Sequence, residues 1–267
     1  MSKAFKVAFT CAALAAALPS NALTQSWNNY RWARTGPLDI GVGDNVGAGW
    51  DNYLRSAATS WTAAKNIDYT VTSGATNASA CKAVYGGVQV CNGNYGSTGW
   101  LGYTTVWQAG GFIVQATVKL NDFYFNQANY NTSAWRMMTM CQELGHSLGL
   151  DHINTINTNP NTGSCMDYTN DPSGTRGTNG TLANTAPNKT DFNALNGIYA
   201  TVNATQLAYT KPTYWAGAGV WIDGVGVDAG GSLVPEPTTW MMLITGFGLV
   251  GATMRRRQPG LARALTS

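Results

Sequence analysis

Apolar side chains recur at Trp50, Leu54, Ala57 and Trp61, every three or four positions, so a helix with one buried stripe is expected over residues 46–64. Residues 67–72 alternate between apolar and polar and predict a strand. Cys81 and Cys91 flank Gly86-Gly87 symmetrically, the pattern of a hairpin. Residues 99–108 and 112–121 flank Ala109-Gly110-Gly111 and predict a second strand pair. Thr132-Ser133 offers an N-cap for a helix that runs through Leu148 and stops at Gly149. Residues 150–187 are rich in Asn, Thr and Gly and predict loop, 189–200 predict a last helix, and 201–233 read as irregular spacer. Strands first with a long helix late indicate an α+β fold rather than a doubly wound sheet.

Composition narrows the class. The 267 residues are 44% hydrophobic and only 11% charged, well below the roughly one quarter usual in soluble domains. Asn, Thr, Ser and Gly must therefore supply the polar surface. With 10 Trp and 12 Tyr to bury, the chain is not a disordered one. The formal charge of +3 is an effect of the ends: Lys3 and Lys6 at one, Arg255, Arg256, Arg257 and Arg263 at the other. Without these and Glu236, the body holds 10 basic and 12 acidic residues. No basic stripe remains, and no nucleic-acid partner is expected.

Both ends read as targeting signals. Residues 1–22 carry Lys3 and Lys6, an apolar run from Val7 to Leu18 that is too short to span a bilayer, and the small-residue site Ser20-Asn21-Ala22. This is the pattern of a cleaved secretory signal peptide, and Cys11 leaves with it. At the other end, Val234-Pro235-Glu236-Pro237 precedes 17 uncharged residues, Thr238 to Met254, closed by Arg255-Arg256-Arg257. Such a run just spans a thin membrane, with the arginines and residues 258–267 on the cytoplasmic side. The order of Pro-Glu-Pro, apolar helix and arginine cluster over 234–257 resembles the PEP-CTERM sorting signal. That resemblance implies an exosortase-type processing enzyme as partner. The body is then exported through the inner membrane, and is anchored by the C-terminal helix or released to the cell surface or extracellular matrix after processing.

Export accounts for the cysteines. Four remain after the signal peptide, an even number in an oxidising compartment. Cys81 with Cys91 closes the expected hairpin, which leaves Cys141 with Cys165. No Cys-x-x-Cys pair suggests a zinc ribbon.

The chemistry is concentrated in eleven residues, 142–152. The chain has two histidines, His146 and His152, and two glutamates, Glu143 and Glu236. Three of those four lie in Gln142-Glu143-Leu144-Gly145-His146-Ser147-Leu148-Gly149-Leu150-Asp151-His152. On a helix, Gln142 and His146 share a face. Gly149 can end the helix in a left-handed turn that brings His152 back toward that face. Glu143, one step around at a position expected to be exposed, can reach a water held between the ligands. This is the geometry of a zinc hydrolase.

The segment resembles the metzincin metalloprotease signature, His-Glu-x-x-His-x-x-Gly-x-x-His, matching at Glu143, His146, Gly149 and His152 and departing at Gln142. Ser164-Cys165-Met166-Asp167-Tyr168 resembles the Met-turn of that clan. Tyr168 stands where astacin-like and serralysin-like members carry a tyrosine near the metal. Val118-Lys119-Leu120-Asn121 resembles the edge strand along which such enzymes align substrate. The resemblance covers about residues 45–200 and implies a serralysin- or matrixin-like catalytic domain within 23–200. The implied architecture is a twisted, mostly β sheet with a helix over it, an active-site helix and a C-terminal helix. A Cys141–Cys165 bridge would pin the Met-turn to the site helix.

The expected activity is that of an exported zinc-dependent endopeptidase acting on peptide or protein substrates. Zn2+ would be held by His146, His152 and the amide oxygen of Gln142, with Glu143 as general base and Tyr168 hydrogen-bonding the oxyanion. An amide is a weak ligand, so Asp151 and Tyr168 are alternative third ligands. The competing expectation is a catalytically impaired metzincin-like protein that binds or builds a surface or biofilm matrix. Residues 23–45 contain no Cys and hence no cysteine switch.

Overall fold

The first helix forms where its apolar stripe demands. The computed structural model describes residues 25–177, 179–200 and 220–222. The chain runs through β1 (Arg31–Trp32), β2 (Leu38–Asn45), α1 (Asp51–Thr62), β3 (Ile67–Ser73), β4 (Gly87–Gly93), β5 (Gly102–Ala109), β6 (Phe112–Asn121), α2 (Asp122–Phe125), α3 (Ser133–Ser147), α4 (Lys189–Ile198) and β7 (Val220–Ile222). Leu54, Ala57, Ala58 and Trp61 of α1 are buried against the sheet and α3. The signal peptide (1–22), the sorting signal with its apolar helix (234–257) and the tail (258–267) lie outside the described residues. So does the spacer 201–233, apart from β7. Among the described residues no helix is long and apolar enough to cross a membrane.

Seven strands form one sheet in the order β3-β2-β4-β6-β5-β7, with β1 beside the start of β6. β3, β2, β4 and β6 are parallel to one another, and β1 is parallel to β6. β5 returns antiparallel beside β6 through Gly110-Gly111, and β7 is antiparallel to β5. The architecture is therefore a mixed α/β one with a largely parallel sheet and a few helices. The expected α+β reading missed the parallel pairing because it placed no strand before residue 46. β2 does alternate, with Leu38, Ile40 and Val42 buried, but its glycines and aspartates depress strand propensity and hide the signal. Once β2 is present, α1 becomes the crossover that joins the parallel strands β2 and β3.

The hairpin expected at Cys81–Cys91 is not formed. β4 begins only at Gly87, and both its neighbours, β2 and β6, run parallel to it. Gly87 through Cys91 are all buried, the continuous run of a central strand rather than the alternation of a hairpin arm. The disulfide itself exists, with 5.9 Å between the Cα atoms, and ties the preceding loop to the centre of the sheet.

α3 crosses the sheet's inner face. Its start agrees with the sequence: Thr132 is the N-cap and accepts from the Trp135 N–H. Every residue from Met138 to Ser147 is buried, so this helix is enclosed all round. Trp61 of α1 packs against it and donates its indole N–H to the Cys141 carbonyl at 2.9 Å. α4 starts with a capping box formed by Asn188 and Asp191.

Candidate metal and catalytic site

The last turn of α3 sets the site. Gly149 adopts φ 89°, and a β-carbon there would run into the Tyr30 carbonyl, so only glycine makes this turn. The Gly149 N–H bonds the His146 carbonyl at 2.9 Å and the Leu150 N–H the Gly145 carbonyl at 3.3 Å, which ends the helix and turns the chain back. His152 returns to His146 as expected: the two Nε2 atoms face each other at 3.0 Å, and the rings cross at 84°.

His146 Nδ1 lies 2.8 Å from the Leu150 carbonyl, which only accepts, so Nδ1 carries the hydrogen and Nε2 presents a lone pair toward His152. Burial pushes the His146 pKa down to about 4, the Leu150 carbonyl partly opposing it. Burial also pushes His152 well below its ordinary value, helped by the neighbouring His146. Both rings are neutral at neutral pH, the form in which imidazole binds a metal.

Gln142 lies one turn before His146 on the same face. Its Nε2 donates to the Cys165 carbonyl at 3.0 Å, while its Oε1 is fully buried with no hydrogen-bond partner. An orphaned buried acceptor is costly, and a cation beside the two imidazoles would satisfy it. Tetrahedral zinc with bonds near 2.0–2.1 Å holds its nitrogen ligands about 3.3 Å apart, close to the 3.0 Å observed here. Two imidazoles and one amide oxygen are thus the groups that could hold a cation here. Among the described residues no three His, Cys, Asp or Glu side chains group as a metal cluster.

Asp151 does not join the donors as an alternative ligand. Its Oδ1 accepts from the His152 N–H at 2.7 Å and lies 3.6 Å from Nδ1, on the side of the ring away from His146. Tyr168 is buried and crosses the His152 ring at 4.4 Å between centroids. Met166 runs beneath the helix. A β-carbon at Gly145 would collide with its Sδ and lie 2.6 Å from Trp61 Cζ2, so the missing side chain makes room for both. The Cys141–Cys165 bridge joins α3 to this loop, as expected.

Glu143 departs from expectation: it is fully buried, not exposed. The Thr104 hydroxyl of β5 shares its hydrogen between Glu143 Oε2 at 2.6 Å and the Glu143 carbonyl at 3.0 Å. β5 passes so close that a β-carbon at Gly102 would lie 2.6 Å from Glu143 Oε1. The sequence carried no signal for Thr104 or Gly102, because they meet Glu143 only once β5 lies beside α3. The assignment of Val118–Asn121 to a sheet edge is also corrected. β6 lies inside the sheet between β4 and β5, and the strand beside Glu143 is β5.

Residues 233–258 match the family model described as the PEP-CTERM protein-sorting motif. The chain thus carries an export-linked, membrane-associated sorting signal at its C-terminus, of the kind that exosortase recognises. No curated protein matches the chain. Among solved structures, that of myroilysin is similar at 13% identity, with a TM-score of 0.37, over 66% of this chain and 98% of that one.

Proposed function

We propose that the protein is an exported zinc-dependent endopeptidase of metzincin type, anchored by its C-terminal helix or released after processing by an exosortase-type enzyme. One observation carries this reading: two neutral imidazoles face each other, and the amide oxygen of Gln142, one turn before His146 on the same helix face, is buried without a partner. His146 Nε2, His152 Nε2 and Gln142 Oε1 would hold the metal. Bound zinc supplies Lewis acidity that acidifies water and polarises a peptide carbonyl. Leu150 fixes the His146 tautomer, and Cys165 aims the Gln142 oxygen. Glu143, held by Thr104, takes the proton of the attacking water at its carboxylate and passes it to the leaving amine. Tyr168, packed on His152, donates its hydroxyl hydrogen to the developing oxyanion.

The full burial of Gln142, Glu143 and His146 favours a second reading, in which the same fold binds or builds a matrix without hydrolysis. Elemental analysis of the full chain, exported so that its bridges form and dialysed against trace zinc, decides between them. About one zinc per chain, lost in His146→Ala, is expected. Hydrolysis of an unfolded protein should vanish in Glu143→Ala while the zinc stays. A folded chain without zinc, or zinc unchanged in His146→Ala, overturns the peptidase reading.

A further inference from the structure

β5 carries no charged residue and no proline along its eight residues, and its inner neighbour β6 satisfies one edge only. An uncharged, unpaired outer edge of this kind attracts any extended chain. Here it is taken by β7, with Thr104 opposite Ile222, Thr105 opposite Trp221 and Val106 opposite Val220. The paired stretch begins at Thr104, the residue whose hydroxyl holds Glu143. An extended peptide that is to lie beside Glu143 along β5 needs the same backbone groups that β7 occupies.

We propose that residues 220–222 are an internal occupant of the peptide-docking edge, so that the segment ahead of the sorting motif competes with substrate for β5. This rests on the peptidase reading for its consequence, but not for its geometry. The occupant is an uncharged strand, Val-Trp-Ile at residues 220–222, and the class of substrate it competes with is an unfolded, apolar stretch of polypeptide laid antiparallel to β5. Docking would be by main-chain hydrogen bonds, and displacement of β7 is the step that admits substrate.

The test uses the full chain with Trp221→Pro and Ile222→Pro together, since proline removes ladder donors whichever residue faces β5. Backbone exchange at Thr104–Val106 should accelerate about tenfold or more, while exchange in α3 stays slow and reports an intact fold. A synthetic peptide of residues 217–223, Gly-Ala-Gly-Val-Trp-Ile-Asp, added in trans should restore the protection. Unchanged exchange in the variant, or no restoration by the peptide, overturns the proposal. With zinc supplied, the variant should cleave an unfolded protein several-fold faster than the parent chain, and equal rates overturn the competition. If neither chain cleaves, the peptidase reading fails, and the docking edge stands or falls on the exchange data alone.

Discussion

The two sides of the candidate site are built from different materials. On one side α1, α3 and the sheet bury Trp61, Leu54, Met138, Met140 and Leu144 in a continuous apolar core. On the other, residues 150–188 have almost no regular structure and are held by side chains bonded to backbone. Asp167 accepts from Asn154, from the Thr162 N–H at 2.9 Å and from Asn184 at 3.0 Å. Asn161 donates to the carbonyls of Asp171 and Leu182, at 2.8 and 2.7 Å. Buried Asp191 gathers Gln25, Ser164 and the Asn188 N–H, tying the N-terminal segment, the Met166 loop and α4 together. A loop with little apolar surface is thus held mainly by hydrogen bonds, although Asn159 Oδ1 and Asn161 Oδ1 are buried without a partner. The helix side supplies Gln142, Glu143 and His146; the loop side supplies His152 and Tyr168.

Cutting the seam between the two sides should have the largest effect. Loop-closure entropy gives about 3.5 kcal/mol for the Cys141–Cys165 bridge and about 2.7 kcal/mol for Cys81–Cys91, which closes the shorter loop. Urea unfolding of Cys141→Ser/Cys165→Ser should therefore show the greater loss of the two double variants, with disorder spreading first to the loop side. Asp191→Ala should cost about 3 kcal/mol, because it strands several buried donors and removes a capping box. Calorimetry that finds it neutral would show that the loop is not held by this network. Gly145→Ala overpacks the seam from the helix side against Met166 and Trp61 and should cost about 2 kcal/mol in the same unfolding assay.

The smallest effect is a pH slope. Burial raises the Asp191 pKa, although Asn188, Gln25 and Ser164 bond it and pull the other way. The folded chain then holds this proton more tightly than the unfolded chain. The stability linked to it is complete below about pH 4 and declines as pH climbs through the folded pKa. Comparing unfolding of the parent chain and Asp191→Asn across that range should show the parent losing stability relative to the variant as pH rises, while the slopes due to Asp151 and the histidines are common to both.

Local signals were legible, and long-range ones were not. Thr132 and Gly149 mark the ends of α3 because caps and left-handed turns are chosen by single residues. Gly110-Gly111 marks the β5–β6 turn for the same reason, and both expected disulfides form, although the hairpin through which Cys81 was paired with Cys91 does not. The spacing of Gln142, His146, Gly149 and His152 likewise foretold the return of His152 to His146. Parallel pairing has no such local mark, so β2 stayed hidden and the loop before β4 read as a hairpin arm. Glu143 looked exposed because the strand that covers it, β5, lies about forty residues away in the chain. β7 was unreadable inside a glycine-rich spacer, where three residues alone carry no periodicity.

The position of β7 also sets a reach. The ten residues 223–232 separate its last residue from the matched sorting motif. Fully extended, such a tether spans roughly 35–40 Å, no more than about the thickness of a bilayer. While the motif is seated in a membrane and β7 is seated on β5, the Glu143 edge is leashed within that distance of the lipid surface.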